Sequence, residues 1–452
     1  MVLNSKKRLI LFHFKRDFRI KDNSGLYSAL KAAQDLNRQG LAAEVLPIFI
    51  FDRSILDRLT SRSDARVSFI FHQVLRLKQR LKNQGGDLQI LYGKATEELE
   101  KCHSAYQKDY QQIDYYGNYD DDPYPLKRDQ SIRDFIQSKG GEFHLFKDHH
   151  IFSRAEVLNK SHLPYTVFTP YKKAWLEKIK DPFYLKPYPT ENYLSFLKRT
   201  SFDERHLSLK EMGFQDVDVR SWMEPRWNDE MLAHYQDYRD FPAREGTSQL
   251  GVHLRFGTVS IRELVRESLP KSETFVSELI WRDFFAQILF HFPGVVRASF
   301  RDSYDRISWR KDEEEFRRWK EGSTGYPLVD AGMRELLATG TMHNRVRMVT
   351  ASFLCKHLLH YWLEGERYFA SLLMDYDLAS NNGNWQWAAG SGCDAAPYFR
   401  IFNPIAQQVK FDKDFTYIKK WVPELGTPRY PSPMINHEWA RARALSEYKK
   451  GL

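Results

Sequence analysis

The residues able to do chemistry in this chain gather in its second half. Glu278-Leu279-Ile280-Trp281-Arg282-Asp283-Phe284-Phe285 has helical spacing, and positions 278, 281, 282 and 285 fall on one face. That face offers a carboxylate, an indole, a guanidinium and a phenyl ring. Glu and Arg are seldom buried unpaired, so it is either a binding surface or a Glu278–Arg282 ion pair beside a core tryptophan. Gly340-Thr341-Met342-His343-Asn344-Arg345-Val346-Arg347-Met348 reads as a helix stop followed by a new helix from about His343. The free N–H groups of a helix start favour anions such as phosphate, and the Asn344 amide can both donate to and accept from a heterocycle edge. A capping asparagine followed by solvated arginines fits the same residues. From Met374 to Pro404 the chain sets Asp375, Asp377, Asn381, Asn382 and Asn384 beside Trp385 and Trp387, among Gly383, Gly390 and Gly392. Polar groups interleaved with indoles and glycines suit a large aromatic ligand held by hydrogen bonds. A metal held by Asp375 and Asp377 is a weak alternative, because no nearby His completes the set. Upstream, Gly246-Thr247-Ser248-Gln249-Leu250-Gly251 can hold a pyrophosphate or simply cap a helix.

The elements that must position these residues differ between the two ends of the chain. Arg8–Phe14, Val45–Phe51, Leu88–Tyr92 and Gln112–Tyr116 are apolar runs that read as strands, alternating with helical stretches at Asn23–Asn37 and Ser63–Asn83. This rhythm predicts a doubly wound, mostly parallel α/β sheet. No GxGxxG follows the first strand, and Asp120–Pro125 reads as a loop. Prolines 164, 170, 182, 187 and 189 mark an irregular connector. Beyond about 205 helical patterns dominate: Ile261–Ser268, Phe275–His291, Glu313–Lys320, Tyr326–Ala338, Arg345–Trp362 and Tyr368–Leu373. The expected division is an α/β domain over 1–135, a linker over 136–204 and a large all-helical domain over 205–452.

Composition narrows the class. The 452 residues carry 15% aromatics, too many for a disordered chain, and no apolar stretch approaches the ~18–20 residues of a membrane span. Met1–Ile10 holds Lys6, Lys7 and Arg8 before a short apolar run, so no secretory signal is expected. Lys+Arg number 68 against 59 Asp+Glu, net +9, a balance that favours a polyanionic partner without requiring one. Three scattered cysteines, Cys102, Cys355 and Cys393, exclude a four-cysteine metal site and suit a reducing cytosol.

The motifs together resemble the photolyase/cryptochrome family, most of all its bacterial members that repair cyclobutane pyrimidine dimers. FKRDFRIKDN, GTSQL, ELIWRDFF, GYPLVDAGMREL, MHNRVRM, DYDLASNNGNWQW and DAAPYFRIFNP match in order along nearly the whole chain. His13 stands where an aromatic is common, and Gly251 where a serine is usual. The resemblance implies an α/β antenna domain and a helical domain holding FAD. It implies flavin contacts from Tyr235, Thr247, Ser248, Gln249, Leu250, Arg282, Asn344, Asp375, Asp377 and Asn381, with Asn381 facing the flavin N5. It implies light-driven dimer repair by electron transfer from reduced FAD. Glu278 would donate a hydrogen bond to the flipped-out lesion, with its pKa raised by burial. Trp281, Trp387 and Met348 would wedge against that lesion while Arg345 meets DNA phosphate. Trp385, Trp362 and Trp309 would form an electron relay. A second antenna chromophore is expected, its identity open, since Asp120-Asp121-Asp122-Pro123 departs from the Asn-Glu pattern that suggests a folate. The expected partner is DNA containing pyrimidine dimers, bound by a monomer in the cytoplasm, on the nucleoid, with no membrane and no metal. Alternatives are a cryptochrome-like photoreceptor, which often carries a longer C-terminal tail, and a (6-4) photolyase, which should show His-His where His343-Asn344 stands.

Overall fold

A computed structural model describes residues 7–202 and 207–452. Met1–Lys6, where no leader is expected, and the expected boundary at 204/205 lie outside the described residues. Two compact units interleave along the chain. The first comprises 1–151, 179–226 and 250–267, the second 152–178, 227–249 and 268–452.

The first unit is built on five parallel strands in the order β3-β2-β1-β4-β5: β1 Arg8–Phe14, β2 Ala43–Asp52, β3 Gln89–Gly93, β4 Gln112–Asn118 and β5 Phe143–Phe146. β1 is central, with Leu9 opposite both Glu44 and Ile113. All of its residues but the first are buried, as expected for a strand covered on both faces. One face packs Leu9, Leu11, Leu46, Ile48, Ile113 and Tyr115 against Leu99, Ile132 and Ile136 of the flanking helices. β5 was not anticipated; its FHLF is short, with every position only half-buried. The Asp/Pro run at 120–125, expected as a loop, opens the helix Pro123–Ser138. Pro123 sits where its missing N–H costs nothing.

The strand order places a switch point between β1 and β4, the crevice where such sheets admit nucleotides. Here it is occupied by the chain's own polar side chains. Asn118 Nδ2 donates to Asp17 Oδ2 at 2.6 Å, Arg16 pairs with Asp120 at 3.0 Å, and all four residues are buried. Behind them, Asp148 takes Arg19 at 2.6 Å and Arg262 at 3.0 Å, and Asp22 takes Arg262 at 3.0 Å. Burial alone would raise the Asp148 carboxyl, but Arg19 and Arg262 hold it well below the usual carboxylate range.

The second unit is helical. Its core gathers Trp319, Trp362, Trp385, Phe353, Phe369, Leu336 and Val346. The principal helices are Glu273–His291, Pro327–Thr339, Asn344–Ser352, Trp362–Leu372 and Leu378–Ala389. The single helix expected over Arg345–Trp362 is divided. Asn344–Ser352 runs into a π-helical turn at Phe353–His357, the chain breaks at Leu359 with φ of 56°, and Trp362 opens the next helix. Among the described residues, no helix is long and apolar enough to cross a membrane.

Removing one member of a buried ion network leaves the others uncompensated. Asp148→Asn should therefore destabilise the chain by about 3 kcal/mol in denaturant unfolding near neutral pH. Because the folded carboxyl is depressed, its contribution is present above the ordinary carboxylate pKa of about 3.9 and fades as pH falls below it. The gap between wild type and variant should narrow on acidification below about pH 4; a gap that widened would contradict this account.

Candidate active site

The polar stretch after Met374 divides between a loop and a helix. Asp377 caps Leu378–Ala389, its Oδ1 accepting the Ser380 N–H at 3.1 Å, and Gly390 ends the helix at φ of 91°. The helix then sorts its polar residues by face. Asn382 and Gln386 are buried, and both donate to the Val295 carbonyl, at 2.9 and 3.1 Å. Asn384 is exposed and bonds back to the Ser380 carbonyl. Asn382, which also accepts from Gln386 Nε2 at 3.1 Å, is fully committed, and Asn384 lies on the exposed face. Asn381 is different. Its Nδ2 donates to both the carbonyl (3.1 Å) and the Oε1 (2.9 Å) of Glu366, so the group it has left to offer is its carbonyl oxygen. Glu366 is buried, and that burial raises its carboxyl while the Asn381 amide pulls the other way. Glu366 carried no signal in the sequence, since it lies 15 residues away on a neighbouring helix.

Asp375 pairs through Oδ2 with Arg347 at 2.9 Å, and Arg347 also donates to the Met342 carbonyl. The other Asp375 oxygen, Oδ1, is buried with no hydrogen-bond partner. An orphaned buried acceptor costs about 1–3 kcal/mol, which a ligand N–H or O–H would recover. His343 caps Asn344–Ser352, its Nδ1 accepting the Arg345 N–H at 3.2 Å. Burial pushes its pKa down to about 4, so the ring is neutral near pH 7. Asn344, the first residue of that helix, is exposed, and Met348, one turn on, is half-buried.

A second group forms around Glu278. Arg239, unnoticed in the sequence, pairs with Glu278 at 2.6 Å and lies 5.3 Å over the Tyr235 ring. Burial, then the Glu278 charge, raises the Tyr235 hydroxyl. The Glu278 side chain is 35% exposed. Glu278 is thus half-buried and accepts from a guanidinium, where the resemblance implies a hydrogen-bond donor to the lesion. Arg345 is likewise engaged, with Asp240 at 2.9 Å and over the Phe411 ring at 4.4 Å. Arg282, Thr247 and Ser248 are half-buried, Gln249 is exposed at φ of 53°, and Leu250 is buried.

The tryptophans separate by environment. Trp281 is sandwiched, with Phe168 parallel at 3.6 Å and Phe285 at 5.3 Å. Phe168 comes from the irregular connector, which the sequence left without a role. Trp387 is half-buried and lines a small cavity with Phe285, Asn382 and Gly383. Trp385 and Trp362 are buried in the core, and Trp309 is half-buried. Trp385 meets Phe369 at 4.9 Å and Trp319 at 6.2 Å, while Trp362 meets Tyr361 at 5.7 Å, and Tyr361 meets Trp309 at 5.8 Å.

Comparison with known proteins identifies the family. Residues 275–429 match the FAD binding domain of DNA photolyase, and residues 10–190 match the DNA photolyase domain. A deoxyribodipyrimidine photo-lyase of Alkalihalophilus pseudofirmus is 35% identical, covering 96% of this chain and 97% of that one. The chain belongs to the DNA photolyase family. Its fold is also that of a bacterial class III photolyase from Agrobacterium tumefaciens (TM-score 0.83, 31% identity, 99% and 98% of the two chains). A photolyase from Sulfolobus tokodaii, solved with two FAD molecules, is 34% identical with a TM-score of 0.78, covering 98% of this chain and 100% of that one.

The photolyase stretch fits FAD on its own chemistry. Asn381 and Asp375 each keep an oxygen acceptor uncommitted, as a heterocycle bearing N–H groups requires. Asp375→Asn should weaken FAD binding about tenfold, about 1.4 kcal/mol, in equilibrium dialysis. Asn384→Ala, on the exposed face, should leave it unchanged; equal losses in both variants would mean that the Asp375 acceptor has no such role.

Proposed function

We propose that this protein is a deoxyribodipyrimidine photo-lyase, an enzyme that repairs cyclobutane pyrimidine dimers in DNA under light. The observation that carries the reading is the pair of uncommitted acceptors at Asp375 and Asn381, lying within the matched FAD-binding stretch of a chain alignable end to end with such an enzyme. Bound and fully reduced, FAD supplies the photoexcited electron that opens the cyclobutane ring. The chain's own residues do the rest. Asn381, fixed by Glu366, and Asp375, fixed by Arg347, orient the cofactor, with Tyr235, Thr247, Ser248, Gln249, Leu250, Arg282, Asn344 and Asp377 completing its contacts. Glu278 accepts from the pyrimidine N–H, while Arg239 beside it offers donors to the carbonyls where negative charge develops. Trp281, Trp387 and Met348 supply the apolar surface for a flipped-out lesion. Flipping costs a few kcal/mol and is cheapest for a damaged, poorly stacked base. Arg345 exchanges part of its pairing with Asp240 for DNA phosphate, making binding salt-dependent. Trp309, Trp362 and Trp385 relay electrons inward.

The segment 1–135 serves in the antenna domain and most of 205–452 in the catalytic domain, an order supported by the stretches matched over 10–190 and 275–429, while the connector expected over 136–204 is shared between the two units and 205–226 and 250–267 belong to the first. The protein acts as a monomer in the cytoplasm, on the nucleoid, with a second chromophore beside FAD. The pairing of His343 with Asn344, rather than a second His, supports cyclobutane dimers over (6-4) products.

Reduced protein under blue light should restore cyclobutane-dimer oligonucleotides and leave (6-4) oligonucleotides and dark controls unchanged; the opposite preference would sink the reading. Glu278→Ala should lower the repair yield at least about threefold while shifting lesion affinity by less than about 1 kcal/mol. Trp385→Phe should stop photoreduction, read as persistence of the oxidised flavin absorbance, and spare repair by chemically reduced protein.

A further inference from the structure

The indole N–H of Trp309 is buried without a hydrogen-bond partner. An oxidised Trp309 therefore has no acceptor for that proton and keeps its positive charge. Two tyrosines pack against its ring, Tyr448 at 5.6 Å and Tyr361 at 5.8 Å, and their surroundings are opposite. Tyr448 is buried, and its hydroxyl donates to the Ala389 carbonyl at 2.9 Å, a neutral acceptor that takes no proton. Lys356 Nζ stands 3.8 Å over the Tyr448 ring, where positive charge on that ring would meet a second cation. Tyr361 is half-buried, and its hydroxyl donates at 3.2 Å to a carboxylate oxygen, Asp305 Oδ1.

The carboxylate is held in place. Asp305 lies in the short turn Asp302–Arg306, and Ser299 donates to it through Oγ at 2.7 Å and through its N–H at 3.1 Å. Ser299 Oγ in turn accepts the Trp362 indole N–H at 3.2 Å, and the Trp362 ring lies 5.7 Å from that of Tyr361. Tyr361 thus touches both outer tryptophans of the proposed relay while its hydroxyl sits on a base. Burial, then the Asp305 charge, pushes that hydroxyl up to about 12, so it keeps its proton near neutral pH until the ring is oxidised. A base is positioned for proton transfer when it lies within about 2.6–3.2 Å of the donor atom. Tyr361 has such a base, whereas Trp309 and Tyr448 have none.

We propose that Tyr361, with Asp305 as its proton acceptor, is where the oxidising charge comes to rest after light-driven electron transfer, an inference that rests on the relay of Trp385, Trp362 and Trp309. The electron that Trp309 gives up passes inward along that relay to the photoexcited oxidised flavin. One electron then leaves the Tyr361 ring and restores neutral Trp309. The phenolic O–H bond breaks, its proton moves along the existing hydrogen bond to Asp305 Oδ1, and a neutral tyrosyl radical and a protonated carboxyl remain.

The test is electron paramagnetic resonance of the FAD-loaded, oxidised protein frozen under blue light, with transient absorption on the same samples. Wild type should give a neutral tyrosyl radical. Tyr361→Phe should cut that signal at least about tenfold and leave a tryptophan radical in its place, while Tyr448→Phe should match wild type. Asp305→Asn, which keeps the size of the side chain and removes the base, should slow the rise of the tyrosyl absorbance at least about tenfold. FAD content and dimer repair by pre-reduced protein should be the same in all three variants, which separates this role from folding and from the repair site. A tryptophan radical alone in wild type would overturn the proposal and leave the relay standing, whereas no aromatic radical at all would overturn both. A tyrosyl signal that survives Tyr361→Phe, or an Asp305→Asn rise as fast as wild type, would also overturn it.

Discussion

The second unit depends on how closely one short helix approaches its neighbours. A methyl group on Gly365 would lie 2.2 Å from the Trp385 ring, and one on Gly383 would lie 2.1 Å from the Phe285 ring. Leu378–Ala389 therefore meets Trp362–Leu372 and Glu273–His291 at separations only glycine permits. Its rotation is set from a third side, where Asn382 and Gln386 both bind the Val295 carbonyl. With those three sides spoken for, Asn381 faces Glu366 and Trp385 enters the core. The site's key amide is thus placed by packing and by backbone hydrogen bonds elsewhere on the same helix.

Charge in the site is matched pair by pair. Arg239 meets Glu278, Arg345 meets Asp240 and Arg347 meets Asp375, even though the chain as a whole carries net +9. These side chains are between 18% and 36% exposed, so each pair contributes about 0–1 kcal/mol to stability. Their value is geometric. Arg239 bridges Glu278 and, at 4.0 Å, Asp240, Arg347 holds one oxygen of Asp375, and the Asp375 oxygen facing away is left without a donor. A family of weak pairs can fix where acceptors point while leaving those acceptors free to exchange partners with a ligand.

What the sequence made legible follows from how local each signal is. β1 and β2 were readable because strands covered on both faces are continuous apolar runs, and Glu273–His291 because a long apolar run free of Gly and Pro follows a capping Ser272. β5 was not, since four half-buried residues have no distinctive period. Helix-face arithmetic put Trp281 and Phe285 on one face, and their rings lie 5.3 Å apart. It could not show that Arg239, 39 residues upstream, pairs with Glu278. The same gap hid Glu366 behind Asn381 and Phe168 against Trp281. In each case the sequence identified a chemically competent residue, while the partner that engages its carboxylate, fixes its free atom or covers its ring came from a distant segment.

The two ends of Leu378–Ala389 show how far that long-range control extends. Its N-terminus is capped by Asp377, an anion where the helix dipole is positive. Its C-terminus is met by Lys356, whose Nζ donates to the Ala389 carbonyl at 2.8 Å and the Tyr398 carbonyl at 3.2 Å and sits 3.8 Å over the Tyr448 ring. Lys356 reaches that point because Phe353–His357 winds as a π-turn, which rotates the side chain out of the phase of the preceding helix. Burial pulls its ammonium down to about 7, with no carboxylate to hold it. The same Ala389 carbonyl also accepts from the Tyr448 hydroxyl at 2.9 Å, a donor that stays in place whether or not Lys356 is protonated. The end that carries Asp377 and Asn381 is thus capped from the adjoining residue, and the end that leads away from the site is closed by side chains from two distant segments.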